Sequence, residues 1–417
     1  MEVKDRRPMK KIENCRICNN LNIQEFLDLG DQPFANALLT SITDKELFYP
    51  LSLSWCPDCN LVQLNHTADP KELFSEYVWV TSTSKTAQEY SNKFYSEILN
   101  RKIPLDGGYV LEIASNDGTF LKPFLNNGYK VLGVDPAQNI VDIANKSGVP
   151  TICRFFGVKA AKEIIDKEGK ARVVVARNVL PHVANLHDFV EGLYVSLEEE
   201  GLLVIEVHYA KIILKELHYD SVYHEHLCYF TIKSIEKLLN RHGLFIVDLN
   251  QSPISGGSLV LYVKKKKEKQ SQIVRMIKNT EEKEKINELS SWLQFALRVQ
   301  DHKIKLLEIL EKMKYNNKLV VGYGASARSS TLLNFCGINE EYIITIADQN
   351  ILKQNMYTAG THIKIDSPEN VLKINPSAVF IIAWNFADEI INILQQKFSF
   401  KGTVLIPLPN EPRIMEL

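Results

Sequence analysis

The sequence has no excess of either charge: 49 Lys+Arg stand against 50 Asp+Glu over 417 residues, a formal net charge of -1. A dedicated nucleic-acid binder is clearly basic, so this balance argues against nucleic acid as a partner. Long apolar runs are missing as well. The stretch 378–384 is among the longest, far short of the roughly 18 residues that mark a membrane span, so no membrane partner is expected. The opening residues, MEVKDRRPMKK, lack the apolar core of a signal peptide, which predicts a soluble, cytoplasmic protein. Cysteine is scarce and odd in number, seven in all, which disfavours a disulfide framework. No repeat of 20–50 residues stands out.

What is present is an α/β pattern in blocks. At about 150 residues per domain, the length predicts two to three domains. Residues 1–100 read as short strands and loops around paired cysteines. Residues 101–263 alternate apolar strands (109–113, 130–134, 173–176 and 202–207) with helical segments, the pattern of a parallel sheet covered on both faces. Residues 264–317 open with four lysines and read as a helical connector, with Leu293, Leu297, Ile304 and Leu307 as its apolar stripe. Residues 318–417 return to βα rhythm, with strands at 319–323, 342–347, 378–382 and 403–406.

Four of the cysteines fall in the first block, in CRIC and CPDC: Cys15, Cys18, Cys56 and Cys59. Each C-x-x-C lets two thiolates grip one ion from a tight turn, and two such knuckles supply the four soft ligands of a closed Zn2+ site. The 37 residues between them exceed the usual zinc-ribbon spacing and imply a small inserted lobe. With every corner a thiolate, the metal is expected to be structural.

The second block opens on a nucleotide-site signature, LEIASNDGTF, between a strand and a helix. The glycine-rich form of this loop would be E-x-G-x-G-x-G; here its glycine positions read Ala114, Asn116 and Gly118 after Glu112. The next strand ends in Asp135-Pro136, 23 residues after Glu112, where a carboxylate can hold the ribose hydroxyls of NAD or S-adenosylmethionine (SAM). Glu112, Ala114, Ser115, Asn116, Gly118, Asp135, Pro136 and Asn178 are the candidate cofactor residues. Further on, Tyr223-His224-Glu225-His226 gathers ionisable groups just before Thr231, the expected N-cap of a helix facing the core through Ile235, Leu238 and Leu239. A His beside a Glu suits a base and the carboxylate that orients it. The two His are two apart rather than four, so metalloprotease chemistry is disfavoured. The last block carries Gly322-Tyr-Gly324-Ala325-Ser-Ala327 after a strand and Asp348 after the next, a dinucleotide fingerprint in its own right.

Taken in order, CRIC, CPDC, LEIASNDGTF, ARNVLPHVANLHDFV, VYHEHLCYFT, SGGSLVLYV and GYGASARSSTLLNFCGI make the chain resemble the SAM-dependent sugar C-3-methyltransferases of deoxysugar biosynthesis, from about Cys15 to Pro409. The resemblance implies a zinc-binding first domain with a lid, a Rossmann-like SAM domain, and a Rossmann-like third domain that helps hold a nucleotide-linked ketosugar. It implies His226 as the base, oriented by Glu225, with Tyr223 steadying the enolate or acting as the alternative base. His182 would meet the substrate, and Tyr77 would reach in from the lid. Ser82, Gly324, Ala325, Arg328 and Asn385 would line the sugar-nucleotide site beside Tyr77, His182 and Tyr223.

The chain departs from the family at three places. It reads Gly256-Gly-Ser-Leu-Val260 for GGSLR, Ala327-Arg328-Ser329-Ser330 for AKGN, and Tyr77-Val-Trp79-Val-Thr81-Ser82-Thr83-Ser84 in the lid. dTDP is the family's usual nucleotide, with GDP open after these changes. The rival readings are an NAD-dependent oxidoreductase or bifunctional enzyme using the third block, and a zinc-ribbon RNA methyltransferase. The oligomeric expectation is a monomer or small homo-oligomer.

Overall fold

A computed structural model of the chain describes residues 9–77, 79–103, 105, 107–252 and 257–417. Val78 of the lid motif and Gly256 of the GGSLV motif lie outside the described residues. No described helix is long and apolar enough to cross a membrane.

The largest sheet has seven strands in the spatial order Phe245–Ser252, Ser258–Lys264, Leu197–His208, Ala171–Arg177, Tyr109–Ile113, Lys130–Asp135, Thr151–Cys153. The last five are parallel, and Ser258–Lys264 runs antiparallel to both its neighbours. Strand order reverses between Tyr109–Ile113 and Ala171–Arg177, the switch point where such a sheet holds a nucleotide. Because side chains alternate across a strand, Val173 and Val175 enter one core and Val174 and Ala176 the other. The first face is covered by helix Lys85–Leu99 through Tyr90, Phe94 and Ile98.

The cysteine lobe is a four-stranded antiparallel sheet ordered Cys228–Tyr229, Val62–Leu64, Tyr49–Trp55, Gln24–Gln32. Its edge strand comes from the His-Glu-His stretch of the second block. The third unit is a six-stranded sheet ordered Lys364–Asp366, Thr345–Ala347, Val320–Tyr323, Ala378–Ile381, Thr403–Ile406, Arg413–Glu416, parallel except for the last strand.

The connector corrects the sequence reading. It is two helices, Gln272–Lys283 and Leu289–Tyr315, and most of the expected stripe lies outside: Leu293, Leu297 and Ile304 are 45%, 59% and 56% exposed, and only Leu307 packs, half-buried, against the core. The buried row is Trp292, Phe295, Val299, His302, Leu306, Leu310 and Met313, an unbroken three-four spacing. Two apolar rows interleave on this helix, and the one bearing the aromatic rings is the one the fold covers. At 27 residues it is about 40 Å long, and it joins the units. Trp292 meets Phe26 of the cysteine lobe at 5.6 Å between ring centroids. His302 bonds the Tyr219 hydroxyl through Nδ1 (3.0 Å) and the Pro407 carbonyl through Nε2 (2.7 Å). One buried cluster consequently runs from Cys15 to Leu408.

Trp292→Ala is expected to lower unfolding free energy by about 3–5 kcal/mol through the cavity it leaves, while Leu297→Ala stays within about 0.5 kcal/mol. Urea unfolding of the two variants checks this; equal losses would mean that the exposed row is also covered.

Candidate active site

The two cysteine knuckles are built alike. In each, the first cysteine's carbonyl accepts from the N–H of an asparagine four residues on (Asn19, 2.9 Å; Asn60, 2.8 Å), and both asparagines hold positive φ, 60° and 58°. Asparagine tolerates that left-handed turn better than most residues. Backbone N–H groups point at sulfur, Ile17 to Cys15 Sγ and Cys59 to Cys56 Sγ. The Sγ atoms of Cys15, Cys18, Cys56 and Cys59 all lie within 4.8 Å of one another. Four converging thiols in a largely buried turn fit tetrahedral Zn2+ with no coordination position left for chemistry.

The cofactor loop shows why its glycines are dispensable in part. Ala114, Asn116 and Gly118 have φ of 55°, 51° and 78°, so all three occupy the left-handed region that glycine favours. An alanine in that region costs roughly 1 kcal/mol. A Cβ at Gly118 would lie 2.6 Å from Val149, so only that glycine is also demanded by packing. Asp135 accepts from Asn116 N and Ala137 N, both at 3.0 Å; the intervening Pro136 has no N–H to compete. Burial raises the Asp135 pKa, and those two N–H groups pull it back. Buried Glu112 is pushed up to about 8 by desolvation, partly offset by Arg177. Ser115 Oγ, Asn178 Oδ1 and Glu112 Oε2 are buried without a partner. Small residues, a left-handed loop and orphaned polar atoms at the sheet's switch point fit a nucleoside cofactor.

The expected catalytic residues converge at the C-terminal ends of the neighbouring strands. His226 Nδ1 donates to the Ser221 carbonyl at 2.8 Å, which leaves Nε2 as the acceptor for the Tyr223 hydroxyl at 2.9 Å. Its pKa is held well below the usual value by burial first, then by His182 and His208. His226 is therefore a neutral imidazole with a fixed tautomer. Glu225 was expected to orient it and does not. The Glu225 carboxylate instead accepts from Asn36 Nδ2 at 2.7 Å, and burial pushes it up to about 7. A backbone carbonyl does the orienting because the tight 219–222 turn delivers it directly. His182 packs edge-on to His226, 4.8 Å between centroids, and to Phe74; its Nδ1 is buried and unpartnered, and burial lowers it to about 4. The Tyr77 phenol is raised by burial and by the carboxylates of Glu225 and Asp135, and its ring lies 6.2 Å from that of Phe74, the ring that packs on His182.

Two members of the site escaped the sequence reading. His208 ends the strand Leu197–His208, with its ring 5.0 Å from His226, its Nε2 unpartnered, and its pKa lowered to about 3 by burial. Its position at a strand's C-terminal end beside the switch point was the available signal. Asn36 arrives from the cysteine lobe and carried none.

The third unit contributes differently from expectation. Arg328 pairs with buried Asp220, Nε to Oδ2 and Nη2 to Oδ1 both at 3.2 Å, and also bonds Ser221 Oγ. Its guanidinium is thus committed within the fold. Gly324 (φ 93°) is needed for packing, since a Cβ would lie 2.3 Å from Ala383 Cβ. Ala325 N donates to Asp348 at 2.8 Å, as Asn350 N does, repeating the arrangement at Asp135. Asn385 is half-buried in the turn Trp384–Phe386. Ser82 donates its N–H to Asp117 at 3.0 Å.

Three family models match in chain order: a zinc binding domain over 15–74, a methyltransferase domain over 87–249, and a C-methyltransferase C-terminal domain over 253–409. The chain is 32% identical over 412 residues to the C-methyltransferase NovU of Streptomyces niveus, covering 98% of each chain. It is 30% identical over 107 residues to the mitochondrial ubiquinone biosynthesis O-methyltransferase of Mus musculus, 24% of this chain and 29% of that one. Among solved structures, magnesium protoporphyrin IX methyltransferase (ChlM) of Synechocystis PCC 6803 with bound SAM is similar at TM-score 0.33 and 15% identity, over 42% of this chain and 78% of that one. The central fold is that of SAM-binding methyltransferases, and the cysteine cluster is its zinc site.

Removing the metal with a chelator should raise amide hydrogen exchange both in 49–64 and in 227–230, because they share a sheet, while Tyr109–Ile113 stays protected. Faster exchange confined to 49–64, with 227–230 unchanged, would refute that coupling. Acid has a separate effect. His182, His208 and His224 have folded pKa values of about 4, 3 and 4 against 6.5 unfolded, so the unfolded chain takes up protons first as pH falls. Stability is fully present above pH 6.5 and drains away as pH drops toward 4. His208→Asn should flatten the fall of Tm with pH across that window; an unchanged slope contradicts the assignment.

Proposed function

This chain belongs to the SAM-dependent C-methyltransferases, and we propose that it methylates C3 of a nucleotide-linked 4-keto-deoxysugar, dTDP-linked first and GDP-linked second, in the making of a branched-chain sugar. The observation that carries the reading is the Tyr223–His226 pair: a neutral imidazole, its tautomer held by the Ser221 carbonyl and its lone pair on a phenol, with the rings of His182 and His208 against it. Oxygen and nitrogen nucleophiles need at most a lost O–H or N–H proton. A sugar carbon needs a base for a C–H bond that is acidic only beside a ketone, and a donor for the enolate oxygen that forms.

In this reading His226 Nε2 removes the C3 proton, directly or through the Tyr223 hydroxyl. A tyrosine as the resting base is disfavoured, since burial and Glu225 hold the Tyr223 phenol well above its ordinary pKa. Tyr77 and His182 are the neighbouring neutral groups able to hydrogen-bond the enolate oxygen. When bound, SAM supplies an electrophilic sulfonium methyl, so the protein's own work is proton transfer, alignment and exclusion of water. Glu112, Ala114, Ser115, Asn116, Gly118, Asp135, Pro136 and Asn178 form the wall for that cofactor. The sugar's pyrophosphate would meet the N-terminus of helix Ala327–Cys336, where backbone N–H groups favour an anion, with Gly324, Ala325, Ser82, Arg328 and Asn385 around it.

In D2O without SAM, the wild-type protein should exchange the C3 hydrogen of the ketosugar nucleotide, read by NMR; with methyl-labelled SAM, the label should appear at C3. His226→Ala should lose about 10²-fold or more in both while SAM affinity stays near wild type. Absence of label at C3 for every ketosugar nucleotide tried overturns the substrate assignment, and a variant that keeps most activity overturns the base.

A further inference from the structure

Asn116 stands where the glycine-rich loop has a glycine, and its side chain has a task that glycine cannot perform. Oδ1 accepts from Thr81 N (2.9 Å) and Thr81 Oγ1 (3.0 Å), and Nδ2 donates to the Trp79 carbonyl (3.0 Å). Asn139, in the first turn of helix Gln138–Lys146 after Asp135, does the same at the other end. Its Oδ1 accepts from Tyr77 N (3.2 Å) and its Nδ2 donates to Tyr77 O (2.8 Å). Asp117 adds the contact to Ser82 N. The turn that carries Asn116 and the helix start that carries Asn139 follow adjacent parallel strands and flank the nucleoside site of this fold. Tyr77 is bonded to one side of that site and Trp79, Thr81 and Ser82 to the other. No residue of Thr81–Thr83 is buried, and Trp79 is 48% exposed, so hydrogen bonds rather than apolar packing hold this segment down.

We propose that Asn116 and Asn139 are paired positioning residues, a latch that fastens Tyr77 and 79–83 across the cofactor site, so that cofactor exchange requires the latch to open and Tyr77 is in place only while it is shut. The inference rests on the SAM and sugar reading for the role of Tyr77, but its first test needs no sugar. Asn116→Gly suits the local φ of 51° and deletes the latch bonds without straining the loop; Asn139→Ala does so from an exposed helix position.

A gate speeds passage in both directions. Stopped-flow fluorescence of S-adenosylhomocysteine binding, with Trp79 as a reporter within the strap, should show association and dissociation each rising about tenfold in either variant, with Kd held within about threefold. In methyl transfer, kcat should fall about tenfold with little change in the KM for SAM. Unchanged exchange rates overturn the latch. Faster dissociation alone, with weaker Kd, also overturns it and makes Asn116 an ordinary affinity contact. If wild type binds S-adenosylhomocysteine but methylates no ketosugar nucleotide, the sugar reading fails, and the exchange rates still decide the latch.

Discussion

The geometry of the site hangs on one buried carboxylate. Asp220 is 1% exposed, and an unpaired charge at that depth would be prohibitively costly. Its side-chain partners come from the third unit: Arg328 approaches both oxygens, and Trp384 Nε1 donates to Oδ2 at 2.7 Å. Burial still raises its pKa, with Arg328 and Trp384 opposing. Holding Asp220 holds the turn Tyr219–Ser221, and Thr331 Oγ1 adds a bond to the Val222 carbonyl at 2.7 Å. The carbonyl of Ser221 then sets the tautomer of His226. The Rossmann-like third unit is therefore linked to the His226 imidazole through the turn it holds.

From the other side, the same stretch is held by the cysteine lobe. Cys228–Tyr229 pairs with Val62–Leu64, Leu64 N donates to the Leu227 carbonyl at 2.9 Å, and Asn36 bonds Glu225. His224 sits edge-on to Phe34 and Tyr49. Within four consecutive residues the side chains of Tyr223 and His226 face each other, while His224 and Glu225 engage the lobe. The thiol cluster and the Tyr223–His226 pair are thus joined through one sheet, whose edge strand begins two residues after His226.

How much of this was legible in the sequence follows from the range of the interactions. Tyr109–Ile113 and Thr403–Ile406 were read with their observed bounds, since short apolar runs between turn residues are local signals. The four cysteines and Asp135 were likewise local, set by spacing and strand ends. The edge strand Cys228–Tyr229 was not legible, being two residues long with a partner far back in the chain. Nor was the orienter of His226: a carbonyl has no side-chain identity to read, so the adjacent Glu225 looked the better candidate. The connector helix failed for a different reason. It carries two apolar rows, and periodicity alone does not say which row meets the sheets.

Near-neutrality of the whole chain takes on a local meaning once the cations near the site are traced. Arg177 lies under the cofactor loop, bonded to Glu206 at 2.8 Å and 3.9 Å from Glu112, with its guanidinium over the Phe120 ring. Arg328 is committed to Asp220. Both arginines are answered by carboxylates inside the fold, and the imidazoles of His182, His208 and His226 are kept neutral by burial. Neither these arginines nor these imidazoles offer the site a free positive charge. Discrimination there must come from placed hydrogen-bond donors and from shape, and a base that starts neutral can take a carbon-bound proton without first having to lose one.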